Sequence, residues 1–204
     1  MLRSLPFLLS LALALPVAAS ESPSIRELDA DEVTDLMGGD TIRSIDRGNP
    51  LRAEVIGLIQ APRDELADIL LDYPDIPQWA PATEDVIVVG SEGECTFIEG
   101  VTKIPWPISD RTWRMCSRGG TETIDGQDAF VYRFDHVEGT GNIDASFGFW
   151  LLYSLPTDPE WTYVRYVVNA DPGIAIPQAI LRWVTNGALP DLIDGLRDRH
   201  DELH

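Results

Sequence analysis

The chain has 204 residues, of which 44% are hydrophobic and 24% charged, a composition that fits one globular domain with a buried core and excludes disorder throughout. It carries 34 acidic and 15 basic residues, for a net charge of −19 at pH 7. That charge argues against nucleic acid as a partner, and an anionic membrane would repel the chain on average. A local apolar rim would still allow transient contact with a membrane.

Residues 1–19 have the pattern of a secretory signal peptide. Arg3 supplies a positive start, the run LPFLLSLALALPVA is too short to span a bilayer, and small residues follow it in VAAS. The alternative is an uncleaved anchor, which Pro6 and Pro16 disfavour because proline breaks a spanning helix. We therefore expect a mature chain that begins near Ser20 and a periplasmic or secreted protein.

Residues 20–48 form an acidic N-terminal segment, and residues 49–204 form the main domain. In the segment, RELDADEVTDLM predicts one short helix that ends at the glycines 38 and 39, and TIRSID predicts a short strand. LRAEVIGLIQ (51–60) predicts a longer strand. Two short helices should follow it, because PDIPQWAP interrupts the helical pattern that begins at Pro62.

Between 85 and 169 the sequence predicts six further strands in meander order, each bounded by glycine, proline or acidic turns. From Ile176 to Leu203, apolar residues recur every four positions, which predicts a long helix with a kink or break at Gly187 and Pro190. We predict an α+β fold in which a curved antiparallel sheet wraps around this helix and encloses a ligand cavity.

The two cysteines, Cys95 and Cys116, fall in neighbouring predicted strands. A register that places them opposite each other would allow a disulfide, which an exported protein can keep. The alternative is a pair of buried free thiols, since a slip of one residue would put the side chains on opposite faces. The disulfide is slightly favoured.

Three stretches resemble the START-like, or SRPBCC, superfamily of Bet v 1-like helix-grip proteins. They are the segment from AEVIGLIQ to EDVIVV (53–89), the turn PWPISDRTW (105–113) and the segment from NADPGIAIP to LIDGLR (169–197). The resemblance implies a helix-grip fold that binds, and as a carrier transfers, a hydrophobic small molecule of the lipid class. It also leaves open a polyketide cyclase or aromatase that uses the cavity as a reaction chamber, and an interaction module with an empty cavity.

In the proline-rich turn, Trp106 and Trp113 are expected beside the cavity. Arg111 has two interpretations: it anchors an acidic or phosphate head group of the ligand, or it is structural and pairs with Asp110 or another carboxylate. The structural interpretation is favoured. Glu99 and Arg114 share one face in the proposed register, and some START lipid carriers are thought to hold an internal acid and base pair. Glu99 is therefore a further cavity candidate, although exposure to solvent is the more common fate of such residues.

The strand SFGFWLLYSL is apolar at nearly every position, which predicts that both of its faces are covered. Either Phe149, Leu151 and Tyr153 or the alternate set lines the cavity; we select the former. The set of cavity candidates is completed by three residues on the last strand and the long helix: Tyr166, Ile180 and Trp183.

Signals for catalysis are few, because the sequence has no nucleophile elbow, phosphate loop or dinucleotide fingerprint. An enzyme would need a titratable group in the cavity, and His136, Glu99 or Tyr166 would supply it. His200 and His204 have helical spacing, but the sequence shows no third metal ligand beside them. We expect no cofactor, no metal and no catalytic residue, and the carrier interpretation is favoured over the enzyme.

Overall fold

The computed structural model describes residues 21–204, so the predicted signal peptide lies outside the described residues. The chain forms eight strands in this part. They are β1 (Ile42–Asp46), β2 (Leu51–Gln60), β3 (Thr83–Glu92), β4 (Cys95–Thr102), β5 (Arg111–Ile124), β6 (Gln127–His136), β7 (Ala145–Leu155) and β8 (Asp158–Asp171). Every strand predicted from the sequence is present.

Helices precede, interrupt and follow this strand series. They are α1 (Ala30–Met37), α2 (Arg63–Leu71), a 3-10 turn (Tyr73–Asp75), α3 (Ile76–Trp79), α4 (Gln178–Trp183) and α5 (Leu189–Leu203). A π-helical turn, Val184–Ala188, joins α4 to α5, so the C-terminal helix runs without a break over 26 residues. The irregularity expected near Gly187 is therefore a π turn within one helix. No helix within residues 21–204 is long and apolar enough to cross a membrane.

The strands form a single antiparallel sheet in the order β1-β2-β8-β7-β6-β5-β4-β3. Consecutive strands from β3 to β8 are neighbours, whereas β2 pairs with β8, with Leu51 opposite Ala170 and Gln60 opposite Trp161. The chain crosses from β2 to the far edge of the sheet through α2 and α3. The long C-terminal helix lies against one face, and this confirms the predicted helix-grip fold.

Each face of the sheet contributes side chains to its own hydrophobic cluster. On β2, Ala53, Val55 and Ile59 belong to a cluster that includes the C-terminal helix, whereas Ile56 and Leu58 belong to a second one. This alternation is the two-residue period of a strand. We call the side that carries the C-terminal helix the inner face and the opposite side the outer face.

Residues 21–37, which we call the N-terminal strap, cover part of the outer face. Helix α1 begins with a capping box in which Asp29 Oδ1 accepts from the Glu32 backbone N–H (2.9 Å) and Glu32 Oε2 accepts from the Asp29 N–H (3.1 Å). Leu36 of this helix is buried, 1% exposed, in the outer cluster. The strap and β1, both assigned to the acidic segment, thus pack against the domain.

Ion pairs attach the start of the strap to the sheet. Glu21 accepts from Arg52 Nε and Nη2, and Ser24 O accepts from Arg165 Nη1 at 2.6 Å. Glu54 lies between the two arginines, at 2.7 Å from Arg165 Nε and 2.8 Å from Arg52 Nη1. Burial by itself raises the pKa of the Glu54 carboxyl, but the hydrogen bonds and charges of both arginines outweigh it and lower the pKa.

Candidate functional site

The inner face and the C-terminal helix enclose an apolar cavity of about 370 Å³. Other parts of the chain also contribute to its wall: strands β2 and β4 to β8, helices α2 and α3, Ile143 and the segments 80–83, 103–110 and 172–177. Only two of the lining side chains are charged, Arg111 and Asp171. A wall of this composition suits the apolar surface of a small molecule.

The cavity lies under the first half of the C-terminal helix because the second half packs closely on the sheet. A Cβ on Gly57 would lie 2.6 Å from Ile193 Cγ2, and one on Gly195 would collide with the backbone oxygen of Trp79. Both glycines therefore permit close approach of backbone and helix. The helix residues that line the cavity extend from Ile180 to Leu192, so the cavity ends where this close packing begins.

Aromatic rings form one connected part of the cavity wall. The indole of Trp79 meets that of Trp150 edge to face, with 5.8 Å between centroids. Trp150 in turn contacts Tyr166 (4.6 Å), whose ring stacks on Phe134 (6.0 Å). Edge-to-face and offset contacts of this kind fix ring positions and so make a rigid wall.

A few polar atoms face this apolar space. Burial raises the pKa of the Tyr166 hydroxyl still further above neutral pH, so this group is a hydrogen-bond donor. Burial also raises the pKa of Tyr132, whose hydroxyl donates to Ser117 Oγ at 2.9 Å. Trp113 Nε1 donates to Thr102 Oγ1 at 2.9 Å. The Nε1 of Trp79 is buried and has no hydrogen-bond acceptor within residues 21–204.

Arg111 lies on the wall where β5 begins. Its Nη1 donates to Ser109 Oγ at 3.3 Å, and its Nε is buried without a partner among the described residues. Asp110 pairs instead with Lys103, at 2.8 Å, and the hydrogen bond from Lys103 lowers the pKa of the Asp110 carboxyl. The favoured interpretation pairs Arg111 with Asp110 or another carboxylate. It is wrong, because Lys103 occupies Asp110 and no carboxylate within residues 21–204 forms a salt bridge with Arg111.

The structure brings five of the predicted cavity residues together on the wall. They are Arg111, Trp113, Tyr166, Ile180 and Trp183. The other five lie away from it. They are Glu99, Trp106, Phe149, Leu151 and Tyr153.

Glu99 points away from the cavity because it lies on the outer face of β4. Its neighbours Ile98 and Gly100 are buried toward the inside, and Ile98 lines the cavity. Glu99 pairs with Arg114, directly opposite it on β5, with Arg114 Nε donating to Glu99 Oε1 at 2.8 Å. Both side chains are more than a third exposed. The pair is therefore a surface ion pair.

The prediction that Phe149, Leu151 and Tyr153 of β7 line the cavity is wrong, because these three side chains point to the outer face. Phe149 and Leu151 are buried in the outer cluster, and Tyr153 packs against it. The alternate set supplies the cavity, because Trp150 lines it and Leu152 belongs to the inner cluster. The prediction that both faces of this strand are covered is confirmed, and the N-terminal strap is the outer cover.

Two other candidates lie outside the cavity wall. Trp106 is 91% exposed at the tip of the proline-rich turn, although Ile104 and Ile108 on either side line the cavity. His136 lies at the end of β6, where its Nε2 is 2.8 Å from the backbone oxygen of Thr140. It is not a wall residue.

The sequence reasoning missed several wall residues. Trp79, Met115 and Tyr132 line the cavity. The sequence pattern marks Trp79 only as part of the interruption between two helices, and it does not distinguish Met115 or Tyr132 from other residues of their strands. Met115 lies two positions beyond Trp113, so strand alternation would have found it once Trp113 was placed inside. For Trp79 the sequence offers no comparable signal, since α3 is four residues long.

The structure joins Cys95 and Cys116 by a disulfide, with 5.3 Å between the Cα atoms. The register differs from the proposed one by two residues, because Phe97 lies opposite Cys116 and Glu99 opposite Arg114. A shift of two residues keeps all these side chains on the same face. The bond therefore lies diagonally across β4 and β5.

Sequence comparison finds no matching protein-family model and no matching curated protein. Solved structures do match. A STAR-related lipid transfer protein from Xanthomonas axonopodis is 22% identical, with a TM-score of 0.62 over 79% of this chain and 92% of that one. Human StAR-related lipid transfer protein 5 is 14% identical, with a TM-score of 0.62 over 79% and 88%.

A Streptomyces enzyme, the Zhui aromatase/cyclase, is 16% identical and matches with a TM-score of 0.53 over 74% of this chain and 93% of that one. Carriers and an enzyme thus share this architecture, and fold alone does not separate them. Sheet order, gripping helix and structural neighbours agree, and the chain has the START-like helix-grip fold.

Proposed function

We propose that this chain binds a hydrophobic small molecule of the lipid class in the cavity between the sheet and the C-terminal helix. The observation that carries the proposal is the cavity itself, about 370 Å³ with a wall that is apolar apart from a few polar groups. The names of two similar structures, both lipid transfer proteins, support it. Transfer of the ligand between membranes is the proposed extension of binding.

Burial of apolar surface supplies the affinity. Each 200 Å² of ligand surface removed from water contributes about 5 kcal/mol, at roughly 25 cal/mol per Å². The aromatic wall around Trp150 and Tyr166 is already in contact and ordered, so binding orders few side chains. A volume of about 370 Å³ is near the low end for small-molecule sites. It favours a single-chain or compact ring ligand.

Arg111 is the proposed binding partner of a polar group on the ligand. Its Nε is buried beside the cavity without a partner in the described part of the chain, and a buried donor left unpaired is costly. A carboxylate or phosphate oxygen of the ligand would satisfy that donor and form a charge-assisted hydrogen bond. We therefore propose an amphipathic ligand with one anionic group, held by Arg111 at the start of β5.

The turn 103–110 is the proposed access route. Ile104 and Ile108 face the cavity while Trp106 is exposed at the tip, so a movement of this turn would open the wall. Ile174, in the loop before α4, also lines the cavity and is 41% exposed. Indole rings favour the membrane interface, and transient contact of Trp106 with a membrane would bring the opening to its ligand.

The proposed compartment is the periplasm or the exterior of the cell. The support comes from the signal-peptide pattern of residues 1–19 and from the Cys95–Cys116 disulfide, a bond that persists in oxidising compartments. The apolar wall and the acidic surface are compatible with a carrier that diffuses between membranes.

The test is native mass spectrometry of the mature protein, expressed with residues 1–19 so that the cell exports it. Organic extraction then identifies the bound material. We expect one amphipathic adduct with an anionic group per chain. Arg111→Gln should lower its occupancy at least fivefold, whereas the matched control Arg114→Gln, on the outer face of the same strand, should leave it unchanged. Bare wild-type protein from repeated preparations, and no saturable binding of long-chain fatty acids or lysophospholipids, would contradict the proposal.

A second function, an enzyme that uses the cavity as a reaction chamber, rests on Tyr166 alone. Of the three titratable candidates, Tyr166 lines the cavity, while Glu99 and His136 do not. Its protonated hydroxyl is able to donate a hydrogen bond to a bound carbonyl, whereas its raised pKa disfavours full transfer of the proton. Tyr166→Phe would abolish turnover of an aromatic polyketide with binding retained if this function held, and would leave lipid binding within a few-fold of wild type if the chain is a carrier.

A further inference from the structure

A cluster of three potential metal ligands lies at the far end of the C-terminal helix, outside the cavity. Glu65 on α2 meets His200 and His204 at the end of α5, and one ligand atom from each lies within 4.8 Å of the others. His200 Nε2 is 2.8 Å from Glu65 Oε2, and His204 Nε2 is 3.8 Å from the same oxygen. The third ligand that the sequence does not show is thus supplied by a distant helix.

We propose that Glu65, His200 and His204 bind a first-row transition-metal dication of the Zn²⁺ class. Two imidazoles four residues apart lie on one face of a helix, which is the arrangement needed for joint coordination. A carboxylate completes a set of two nitrogens and one oxygen that suits Zn²⁺. None of the three residues takes part in the proposed lipid site.

The geometry needs one small adjustment to accept the ion. Ligand atoms at about 2.0–2.1 Å from a tetrahedral zinc lie roughly 3.3 Å apart, closer than the 4.8 Å spread of the cluster. The side chain of His204 is 48% exposed, so it is free to rotate toward the other two. Its ring already stacks on that of His200, with 4.8 Å between centroids.

Burial and a second carboxylate favour His200 as the fixed ligand. His200 is 8% exposed, and its Nδ1 is 3.4 Å from Asp201 Oδ1. With the ion bound, a hydrogen bond from Nδ1–H to that carboxylate would leave the lone pair of Nε2 for the metal, which would replace the present contact of Nε2 with Glu65 Oε2. His204 faces solvent, which leaves a fourth position for water.

The ion would fasten the end of α5 to α2. That end is already held by Arg199, whose Nε and Nη2 donate to the two carboxylate oxygens of Asp75 at 2.7 and 2.8 Å. His200 lies eight residues beyond Leu192, the last helix residue on the cavity wall, or about 12 Å along the helix. Binding of the ion should therefore stabilise the fold without competing with the lipid.

The experiment is calorimetric titration of Zn²⁺ into the full mature chain, produced without a polyhistidine tag, with thermal unfolding followed in parallel. We expect one ion per chain and a higher unfolding midpoint with Zn²⁺. Glu65→Gln and His204→Ala should each weaken binding about tenfold or more, and His204→Ala alters an exposed residue that the fold does not need. The matched control, His136→Asn, changes the remaining histidine and should bind as wild type does.

Three outcomes would overturn the proposal. The first is the absence of saturable binding at millimolar Zn²⁺. The second is stoichiometric binding that His204→Ala and Glu65→Gln leave unchanged, since the ion would then occupy another site. Equal shifts of the unfolding midpoint in wild type and in His204→Ala would count against it in the same way.

Discussion

The two faces of the sheet are buried in different ways. On the outer face, the N-terminal strap fills its contact area with side chains such as Leu36, and an ion-pair network around Arg165 fixes its start. On the inner face, the C-terminal helix packs closely only beyond Leu192 and stands over an apolar space before it. The part of the outer face under the strap is therefore solid, whereas the inner face is hollow beneath the first half of the helix. The same antiparallel strands thus provide both stability and a binding site.

The largest effect on the solid face should come from Arg165→Met. This arginine and its partner Glu54 have side chains that are 9% and 14% exposed. Removal of Arg165 leaves the buried Glu54 carboxylate with Arg52 as its partner and takes the donor from Ser24 O, so the free energy of unfolding should fall by about 3 kcal/mol in urea titration. Ligand occupancy in the surviving folded protein should stay at the wild-type level.

The double variant Arg165→Met with Glu54→Gln is the control for this effect. It also replaces the Glu54 carboxylate, which Arg165→Met leaves with one cation fewer, so part of the lost free energy of unfolding should return. A double variant as unstable as the sum of the two single variants would mean that the two side chains do not interact.

Two leucine-to-alanine variants compare the packing under the strap with the packing beside the cavity. Leu36→Ala removes a fully packed side chain from the outer cluster and should cost about 3 kcal/mol. Leu192→Ala, at the edge of the cavity, should cost about 1 kcal/mol because its side chain is only partly packed. Both values come from urea unfolding. Equal costs would contradict the contrast between the faces.

The disulfide lies on the part of the sheet that joins β4 to β5. Cys95 and Cys116 are 21 residues apart. Replacement of both by alanine should lower the free energy of unfolding by about 3 kcal/mol, since a closed loop of this size restricts the unfolded chain. Mass spectrometry after alkylation, with and without a reductant, establishes first that the bond is present. Full alkylation without the reductant would refute it.

The strap should loosen in acid. The pKa of Glu54 is lowered in the folded state, so its contribution to stability is present above the unfolded pKa of about 4.3 and is lost as pH falls through the lower folded value. The difference in unfolding free energy between wild type and Glu54→Gln should therefore narrow below about pH 4. A difference that is constant from pH 7 to pH 3 would contradict this account.

The smallest effect on stability should come from Trp106→Ala, because the side chain is 91% exposed. The free energy of unfolding should change by less than about 0.5 kcal/mol. Transfer of a fluorescent lipid between vesicles should nevertheless slow. The matched control is Ile87→Ala, an exposed residue on the edge strand β3 that is 53% exposed and lies away from the cavity. Equal slowing of transfer by both variants would contradict the proposal that the turn 103–110 is the access route.

The sequence predicted the elements better than it predicted the site. Strand and helix positions follow from local patterns, and those patterns are clear in β2 and in the C-terminal helix. The direction of a side chain depends on which face carries the helix, and β7 is apolar on both faces, so no pattern distinguished Phe149 from Trp150. That information lies in the pairing of strands.

Charged residues were difficult for a related reason. The sequence places Arg111 next to Asp110, yet Lys103 binds that carboxylate and leaves Arg111 beside the cavity. Glu99 and Arg114 were correctly paired, but on the exposed face. Which partner a long side chain finds is decided by the turn that brings distant residues together, and a linear pattern does not encode it.

The pairing of β2 with β8 also has a consequence for the order of folding. Strands β3 to β8 form a meander of consecutive neighbours that can pair as soon as each is made, and β1 and β2 form a local hairpin. The pairing of this hairpin with β8 joins residues about a hundred positions apart, and contacts of such long range slow folding. The chain should therefore dock the hairpin and the strap last, and that single step would complete both the packing under the strap and the part of the cavity wall that Leu51 and Ala53 supply.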